Sequence, residues 1–395
     1  MAHPERRSGR QEHDDHLRGQ ATARKRVTGV RALPQVAAPR NDPSRLQVTA
    51  PSCTLLEAIP GQSVGVTYWF DAPIDNVTPS TQVRLVGDLL ELRTDATESP
   101  SAVHAFDVVH TIPAVPAGVG RVSATMRVTN LVPGTWHIVA RPDNAVAFEA
   151  DGESGAAVVV AESAPGVALG AWAAFVGLGA LIGLILFAFQ IQKAALPMLS
   201  VLTTAIVACL IGLIGAKVYY KAQSTSPTSW LSAGGMCIQG FIVGALAALA
   251  LGATIAHLPL FRLLDAASAP LLVGIAIGRV GCFRAGCCAG RPSAHRYALW
   301  SSDRYLGIRR LPTQLLEGIG ALALASIAVA MVNLESTMPP GALLLQSLGG
   351  YVLLRQALLP YRALPRREGW RRPLAAAVSA SATLIAVGVM AMAAA

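Results

Sequence analysis

The pattern of apolar and polar residues changes near Pro165. Before it, short runs rich in β-branched and aromatic residues are separated by Pro, Gly, Asn or Asp, and several alternate apolar with polar positions. Residues 121–128, RVSATMRV, are one example. A period of two is typical of strands with one buried face. Runs at this spacing predict an antiparallel sandwich of the immunoglobulin or fibronectin type over residues 46–163.

After Pro165 the apolar residues form long, nearly continuous segments. Most of these segments are close to the ~20 residues that a helix needs to cross the hydrocarbon of a bilayer. They are 167–189, 197–219, 234–256, 266–282, 313–334, 341–359 and 373–394. The fourth is short, and we expect its Gly-rich end to be irregular backbone shielded by protein. The predicted fold is a multi-pass α-helical membrane bundle of about seven transmembrane helices over residues 164–395.

Small residues recur at helical spacing within these segments. Examples are Gly240 with Gly244, and Gly177 with Gly183. Because a residue without a bulky side chain lets two backbones approach, these pairs predict close packing between neighbouring helices.

Composition supports a membrane protein. Of the 395 residues, 53% are apolar and only 14% are charged, which is too apolar for an ordinary soluble protein. The formal net charge is +9, and the arginines are clustered. In a membrane protein such clusters set orientation or hold anionic headgroups, so the expected partner is the lipid bilayer and not a nucleic acid. Residues 1–45 are polar and basic, which predicts a disordered arm, and no apolar run follows the first charges, so we expect no signal peptide.

Five polar residues lie within or at the edges of the apolar segments. They are Gln239, Arg279, Gln314, Glu317 and Arg355. A charge in a membrane helix is costly, and it is therefore a functional hypothesis by default. If the segments alternate across the membrane, the two arginines, the acid and Gln314 reach one side, and we expect them to converge on one site. The alternatives are arginines that snorkel to the interface and an acid that complements a helix N-terminus.

Three of the six cysteines fall in the pattern Cys282-x4-Cys287-Cys288. This spacing lacks the paired Cys-x-x-Cys of a structural zinc site. The favoured interpretation is that the cysteines are small packing residues around a tight Gly-rich turn. A soft metal site or a response to oxidants stays open as the alternative. The histidines of the strand-rich region are isolated, and we predict neither a bound metal nor a cofactor.

Three blocks of residues occur in a recognisable order along the chain. They are GGMCIQGFIVG (Gly234–Gly244), IGRVGCFRAGCCAGRPS (Ile277–Ser293) and RLPTQLLEG (Arg310–Gly318). Together they resemble the bacterial prolipoprotein diacylglyceryl transferases. The family's hallmark block reads roughly Gly-Arg-x-Gly-Asn-Phe, and a later block is similar to His-Pro-(Ser/Thr)-Gln-Leu-Tyr-Glu. The resemblance covers about residues 166–395 and leaves the strand-rich region unexplained.

The resemblance implies a seven-helix enzyme of lipoprotein biosynthesis in the bacterial plasma membrane. Such an enzyme moves diacylglycerol from phosphatidylglycerol to the lipobox cysteine thiol of a preprolipoprotein and releases glycerol phosphate. It implies that Arg279 is the essential arginine of the hallmark block and that Arg355 is the second essential arginine, with guanidinium forks that suit a phosphodiester. Gly278 and Gly281 match the glycines of the hallmark block.

This sequence matches the family in the later block and departs from the family pattern at three other positions. Gln314 and Glu317 match the family's Gln and Glu. The histidine of the third segment is Gln239 here, the hallmark asparagine is Cys282, and the acid expected after the second arginine is Leu359. Glutamine does not accept a proton at neutral pH. The resemblance therefore places Gln239 in a catalytic position and Cys282 in a substrate-binding position, and leaves the base as Glu317, water or none.

Two other functions stay open from the sequence. One is a catalytically inactive relative that binds anionic phospholipid or tethers the β domain to the membrane. The other is a thiol or soft-metal membrane protein. The β domain itself contains no catalytic constellation and is interpreted as an interaction or spacer module with an unknown partner.

The orientation of the helices is predicted differently by charge and by resemblance. Loops 220–231, 283–311 and 360–372 carry 12 Lys and Arg residues, whereas the loops predicted on the other side carry 2. The positive-inside rule places the first group in the cytoplasm. The resemblance implies the reverse, with the site loops outside, and we favour it because functional arginines distort a charge count.

Overall fold

The computed structural model describes residues 40–41, 45–49, 61–93, 102–143, 145–223, 238–333 and 339–363. These residues form two compact units, each built from several stretches of the chain. Of the described residues, the first unit takes those up to 172, together with 282–314 and 361–363, and the second takes those from 173 to 281 and from 315 to 360. The seventh apolar segment, Cys53 and most of the predicted basic arm lie outside the described residues.

The first unit contains two β-sheets. Its strands are β1 (Arg40–Asn41), β2 (Leu46–Thr49), β3 (Gln62–Asp71), β4 (Thr81–Leu92), β5 (Ala105–Ile112), β6 (Arg121–Leu131), β7 (Gly134–Pro142), β8 (Phe148–Glu153), β9 (Gly155–Ala156), β10 (Leu299–Ser302) and β11 (Leu306–Arg310). One sheet has the order β1-β8-β7-β4-β5, and the other has the order β10-β11-β6-β3-β2, with β9 also paired to β3. Strand β1 lies within the predicted basic arm, near its end.

The alternation of the sequence sets the core between these sheets. In β7, Trp136, Ile138 and Ala140 are fully buried, and the residues between them are half-buried. The ring of Trp136 packs against Phe106 with centroids 5.6 Å apart. Strand β6 departs from simple alternation, because its polar Ser123 is buried as completely as its apolar neighbours.

The reason for this departure is a hairpin from the distant loop 283–311. Its two strands, β10 and β11, extend the sandwich sheet by pairing β11 with β6, which sets Leu306 opposite Ala124 and Gly307 opposite Ser123. Trp300 of the hairpin stacks on Trp69, with ring centroids 5.9 Å apart. Through these contacts the loop 283–311 becomes part of the same β-sheet as β6.

The helices are α1 (Ala157–Val160), α2 (Ala171–Lys193), α3 (Met198–Gln223), α4 (Ile238–Ile255), α5 (Leu260–Arg284), α6 (Thr313–Asn333) and α7 (Ala342–Leu358). Among the described residues, five helices are long and apolar enough to cross a membrane, namely α2, α3, α5, α6 and α7. Many of their large apolar side chains are exposed, as expected for surfaces that face lipid.

Helix α5 corrects the prediction of a short fourth segment with an irregular end. It is 25 residues long and continues through Gly278 and Gly281 to Arg284. The prediction was wrong at the start of the helix because Asp265 interrupts the apolar run. That carboxylate accepts hydrogen bonds from the backbone N–H groups of Gly341 (2.6 Å) and Leu344 (2.9 Å), at the N-terminus of α7. The charge is therefore satisfied inside the bundle.

Close helix packing at small residues is confirmed at one predicted pair and half confirmed at the other. A Cβ on Gly215 of α3 would lie 2.6 Å from the carbonyl oxygen of Gly240, and Gly244 lies against the same helix. Gly183 of α2 lies against Pro270 of α5, with 3.2 Å from its Cβ position to the Pro270 carbonyl oxygen. The prediction was wrong for Gly177, because no atom of another described helix lies within 4 Å of its Cβ position.

Candidate functional site

The helical unit brings four polar side chains together among apolar helices. Arg279 lies near the end of α5, Glu317 lies in the second turn of α6, and Tyr351 and Arg355 are one turn apart on α7. Gly318 makes the approach of α5 and α6 possible, because a Cβ there would lie 3.2 Å from the Ala276 carbonyl oxygen and 3.4 Å from the Arg279 Cβ. A larger residue would separate the two helices that carry the arginine and the acid.

One carboxylate oxygen organises the cluster. Glu317 Oε1 accepts hydrogen bonds from Arg279 Nη2 at 2.6 Å, from the Tyr351 hydroxyl at 2.6 Å and from Arg355 Nη1 at 3.2 Å. Arg279 Nη2 also lies 3.2 Å from the Tyr351 hydroxyl oxygen. The sequence predicts that Arg279, Glu317, Arg355 and Gln314 converge. This geometry confirms the prediction for the two arginines and the acid, whereas the Gln314 amide binds the Cys287 carbonyl oxygen instead.

Among the described residues, the charges of the cluster do not cancel. Two guanidinium groups share one carboxylate, so the three ionised side chains carry two positive charges and one negative charge. The exposed fraction of the side chain is 0% for Glu317, 10% for Arg279 and 33% for Arg355. Asp265 is the other acid among the described residues of the helical unit, and it is held by the N-terminus of α7. A buried excess of positive charge, with Arg355 on its open side, is suited to an anionic ligand.

The remaining predicted site residues are placed in different surroundings. Gly278 and Gly281 are buried within α5, and Cys282 follows them, buried and without a disulfide. Gln314 is buried, and its Nε2 donates to the Cys287 carbonyl oxygen at 2.9 Å, so it holds the loop and not the charge cluster. Gln239 lies at the start of α4, and its side chain is outside the described part of the structure.

The loop after α5 is held by side chains from the basic hairpin. Arg304 Nε donates to the Ala285 carbonyl oxygen at 2.8 Å, and Arg310 Nη1 donates to the Gly290 carbonyl oxygen at 3.1 Å. Burial lowers the pKa of the Arg310 guanidinium, and the neighbouring carboxylate of Asp303 opposes this effect. These arginines are therefore structural, which separates them from the arginines of the charge cluster.

Tyr351 is the site residue that sequence reasoning missed. A tyrosine in an apolar helix is typical of an interfacial position, and nothing in its immediate neighbours distinguishes it. The signal that was present is its spacing of four residues from Arg355, which places both side chains on one face of α7.

A model of the prolipoprotein diacylglyceryl transferase family matches residues 159–394, more than half of the chain. The chain belongs to this family. The match begins after the last strand of the N-terminal sandwich and includes every residue of the charge cluster. The β-strands before it lie outside the family match.

Named relatives cover a narrower region of the chain. A phosphatidylglycerol–prolipoprotein diacylglyceryl transferase of Dehalococcoides mccartyi is 34% identical over 168 residues, which cover 40% of this chain and 64% of the relative. A protein with the same name from Rhodopirellula baltica is 30% identical over 138 residues, which cover 32% of this chain and 28% of the relative. The chain therefore spans less than two thirds of the length of these relatives.

Proposed function

We propose that this protein transfers diacylglycerol from phosphatidylglycerol to the cysteine thiol of a prolipoprotein. Membership of the family supports this reaction class, and the relatives carry the two substrates in their names. The proposed setting is lipoprotein biosynthesis at the bacterial plasma membrane, where the lipid substrate reaches the site from the bilayer.

The observation that carries the proposal is the shared carboxylate. Glu317 holds Arg279 and Arg355 side by side, and it neutralises only one of their two charges. A phosphodiester carries one negative charge and accepts hydrogen bonds in the geometry that a guanidinium fork offers. Binding of phosphatidylglycerol would therefore complete the charge balance of the cluster, and Arg355, the more exposed of the two arginines, would meet the headgroup first.

The proposed step is a nucleophilic displacement at carbon. The thiolate sulfur of the substrate cysteine attacks the carbon of the diacylglyceryl group that is bonded to the phosphate oxygen. The new S–C bond forms, and the C–O bond between that carbon and the phosphate oxygen breaks. The electron pair stays on the departing glycerol phosphate, and the thiol proton passes to water. Arg279 and Arg355 stabilise the charge that develops on the leaving phosphate, which is the kind of electrostatic effect that often contributes most to catalysis.

The same geometry defines the role of Glu317. Its Oε1 accepts hydrogen bonds from two guanidinium groups and one hydroxyl, and this orients both arginines. We therefore assign Glu317 as a positioning residue and not as the base that takes the thiol proton. With Gln239 in the position of the family's histidine, the reaction depends on the few per cent of thiolate that a cysteine supplies at neutral pH.

The architecture of the whole chain is part of the proposal. We propose seven membrane spans, with the seventh over residues 373–394, an immunoglobulin-like sandwich over residues 46–163 and a basic arm over residues 1–45. The hairpin pairing supports a single side for the sandwich and loop 283–311, and we propose that this side is the outer face. Labelling of Cys53 in intact cells by a membrane-impermeant maleimide tests the outer placement. Labelling that occurs only after lysis would contradict it and place the sandwich in the cytoplasm.

A second candidate is a non-catalytic relative that binds anionic phospholipid. The replacement of the family's histidine by Gln239 favours it, because a charge cluster alone binds phosphate without promoting transfer. The sandwich would then be held at the membrane by a lipid-binding anchor.

Complementation separates the two candidates. A bacterial strain depleted of its own diacylglyceryl transferase is supplied with this protein, with Arg279→Ala or with Arg262→Ala as the matched control. Arg262 is an exposed arginine near the other end of the same helix α5. We expect growth and thioether-linked diacylglycerol on a reporter lipoprotein for the wild type and for Arg262→Ala, and their loss for Arg279→Ala. Absence of rescue by the wild type, with retained binding to phosphatidylglycerol vesicles, would favour the second candidate.

A further inference from the structure

The transfer step proposed above assigns no chemical role to the thiols of the three cysteines that end α5 and begin the following loop. The Sγ atoms of Cys282, Cys287 and Cys288 all lie within 4.8 Å of one another. None of the three forms a disulfide. We propose that these thiols form a binding site for a soft d10 metal ion, Zn²⁺ or Cu⁺.

The distances are close to those of a metal–thiolate site. With a Zn–S bond of about 2.3 Å, two sulfur ligands of a tetrahedral ion are about 3.8 Å apart. The three sulfur atoms lie within 4.8 Å of one another, at most about 1 Å farther apart than that geometry requires. Thiolate ligands select Zn²⁺ and Cu⁺ over hard cations such as Mg²⁺, which fixes the chemical class of the ion.

The burial of the three thiols is graded in a way that suits metal entry. Cys282 is buried, Cys287 is half-buried and Cys288 is exposed. An ion would enter past Cys288 and be shielded by Cys282. Zn²⁺ would complete a tetrahedral shell with a water molecule or a substrate group on the exposed side, whereas Cu⁺ needs no fourth ligand.

The backbone between the cysteines is constrained by contacts of its own. Cys288 has φ of +55° and Gly286 has φ of +67°. A side chain at Gly286 would clash with the Ser302 carbonyl oxygen, 2.8 Å from its Cβ position, so this turn requires glycine. Side chains of Gln314 and Arg304 hold the carbonyl groups of residues 287 and 285. A site whose ligands are already oriented loses little entropy on binding.

Small packing residues around a turn were the interpretation that the sequence favoured, and Cys288 is the residue that it does not explain. A packing residue is buried, whereas Cys288 is exposed. A left-handed φ in a residue other than Gly, Asn or Asp costs of order 1–3 kcal/mol and persists where the surrounding structure or a function requires it. Metal ligation accounts for both the position and the residue type.

Binding converts thiols to thiolates, so each coordinated cysteine releases one proton to solvent and no electrons are transferred. The basic side chains of the same loop, including Arg304, favour the negative charge that a thiolate site carries. Because the metal is bound and not consumed, the proposal is independent of whether the protein transfers lipid.

The test uses the full-length protein, purified in detergent under anaerobic reducing conditions, in a background with Cys53, Cys209 and Cys237 replaced by serine. Zn²⁺, Cu⁺ and Mg²⁺ are added separately, and the metal retained after gel filtration is measured by mass spectrometry. We expect about one equivalent of Zn²⁺ or Cu⁺ per chain, as three thiolates at one centre require, and no Mg²⁺. Replacement of Zn²⁺ by Co²⁺ should give sulfur-to-cobalt charge-transfer absorption.

Serine variants test the ligands individually. We expect Cys287→Ser and Cys288→Ser to weaken retention at least about tenfold, since each removes a ligand. Cys288 is exposed, so we expect its serine variant to fold even if replacement of a more buried thiol prevents folding. Arg279→Ala should abolish transfer and keep the metal, which separates this proposal from the proposed function. Retention below about a tenth of an equivalent, equal retention by Cys288→Ser, or a disulfide between Cys282 and Cys287 in the freshly purified protein would each overturn the proposal.

Discussion

Glu317→Gln tests whether the buried carboxylate holds the arginine pair together. Glutamine has nearly the same shape, and its side-chain oxygen still accepts a hydrogen bond from Tyr351. The change therefore removes the negative charge and leaves Arg279 and Arg355 facing one another among membrane helices. The charge of the cluster rises from one net positive charge to two.

The size of the effect follows from burial. Glu317 is fully buried and the Arg279 side chain is 10% exposed, so the Arg279 charge cannot turn to water. Removing one partner of such a pair costs about 3–5 kcal/mol. For a unit of 150–250 residues, one kcal/mol shifts Tm by about 2–4 °C, so the expected loss of Tm is about 6–20 °C. A second change, Arg279→Gln, returns the charge to one net positive and should recover part of the loss.

The assay is thermal unfolding of the purified protein in detergent, followed by gel filtration of what remains folded. Glu162→Gln is the matched control, because Glu162 also pairs with an arginine, Arg304, at 3.4 Å, but with the two side chains 40% and 26% exposed. An exposed pair is worth about 0–1 kcal/mol, so Tm should hardly change. If Glu317→Gln loses no more Tm than Glu162→Gln, or if Arg279→Gln destabilises the double variant further, the charge argument fails.

Three further predictions concern other parts of the molecule. Tyr351→Phe removes the hydroxyl bonded to Glu317 at 2.6 Å, and it should lower the rate of transfer from phosphatidylglycerol vesicles more than it lowers Tm; an unchanged rate would remove Tyr351 from the site. Trp300→Ala removes the ring contact between the hairpin and Trp69, so hydrogen exchange at the Thr125 amide, which donates to the Tyr305 carbonyl oxygen of the hairpin at 2.7 Å, should become faster. Unchanged exchange would show that the strand pairing alone holds the hairpin. Burial lowers the pKa of the His110 imidazole, so the folded state favours the neutral ring. Stability contributed by His110 is therefore complete above the unfolded pKa of about 6.5 and is lost as pH falls through the lower folded pKa, so His110→Gln should flatten the Tm profile on the acid side of about pH 6.5.

Local patterns predict the parts of this fold that local forces decide. The period of two in β7 indicates a strand with one face against a core, and Trp136 and Ile138 are buried as that pattern requires. The convergence of Arg279, Glu317 and Arg355 is predictable because the cost of a charge in hydrocarbon restricts it to a shared polar site. In both cases the signal is local, because it is either the alternation within one strand or a charged residue within one apolar segment.

The missed features depend on partners far away in the sequence. Asp265 breaks an apolar run, and its acceptance of N–H groups from the start of α7 cannot be inferred from its neighbours. The hairpin strand β11 pairs with β6 across about 180 residues, and no residue in 299–310 specifies that partner. Its sequence, LGIRR, only indicates that a strand is possible.

This long-range pairing changes the interpretation of the β domain. A spacer would keep its own sheet, whereas here the sheet continues from β6 into β11, a strand that belongs to the loop between two membrane helices. Strand β11 ends at Arg310, and α6 begins at Thr313, four residues before Glu317. Glu317 is therefore only seven positions along the chain from the end of β11. Because β11 is held in the sheet by β6, the sandwich is suited to support the geometry of loop 283–311 as well as any partner it binds.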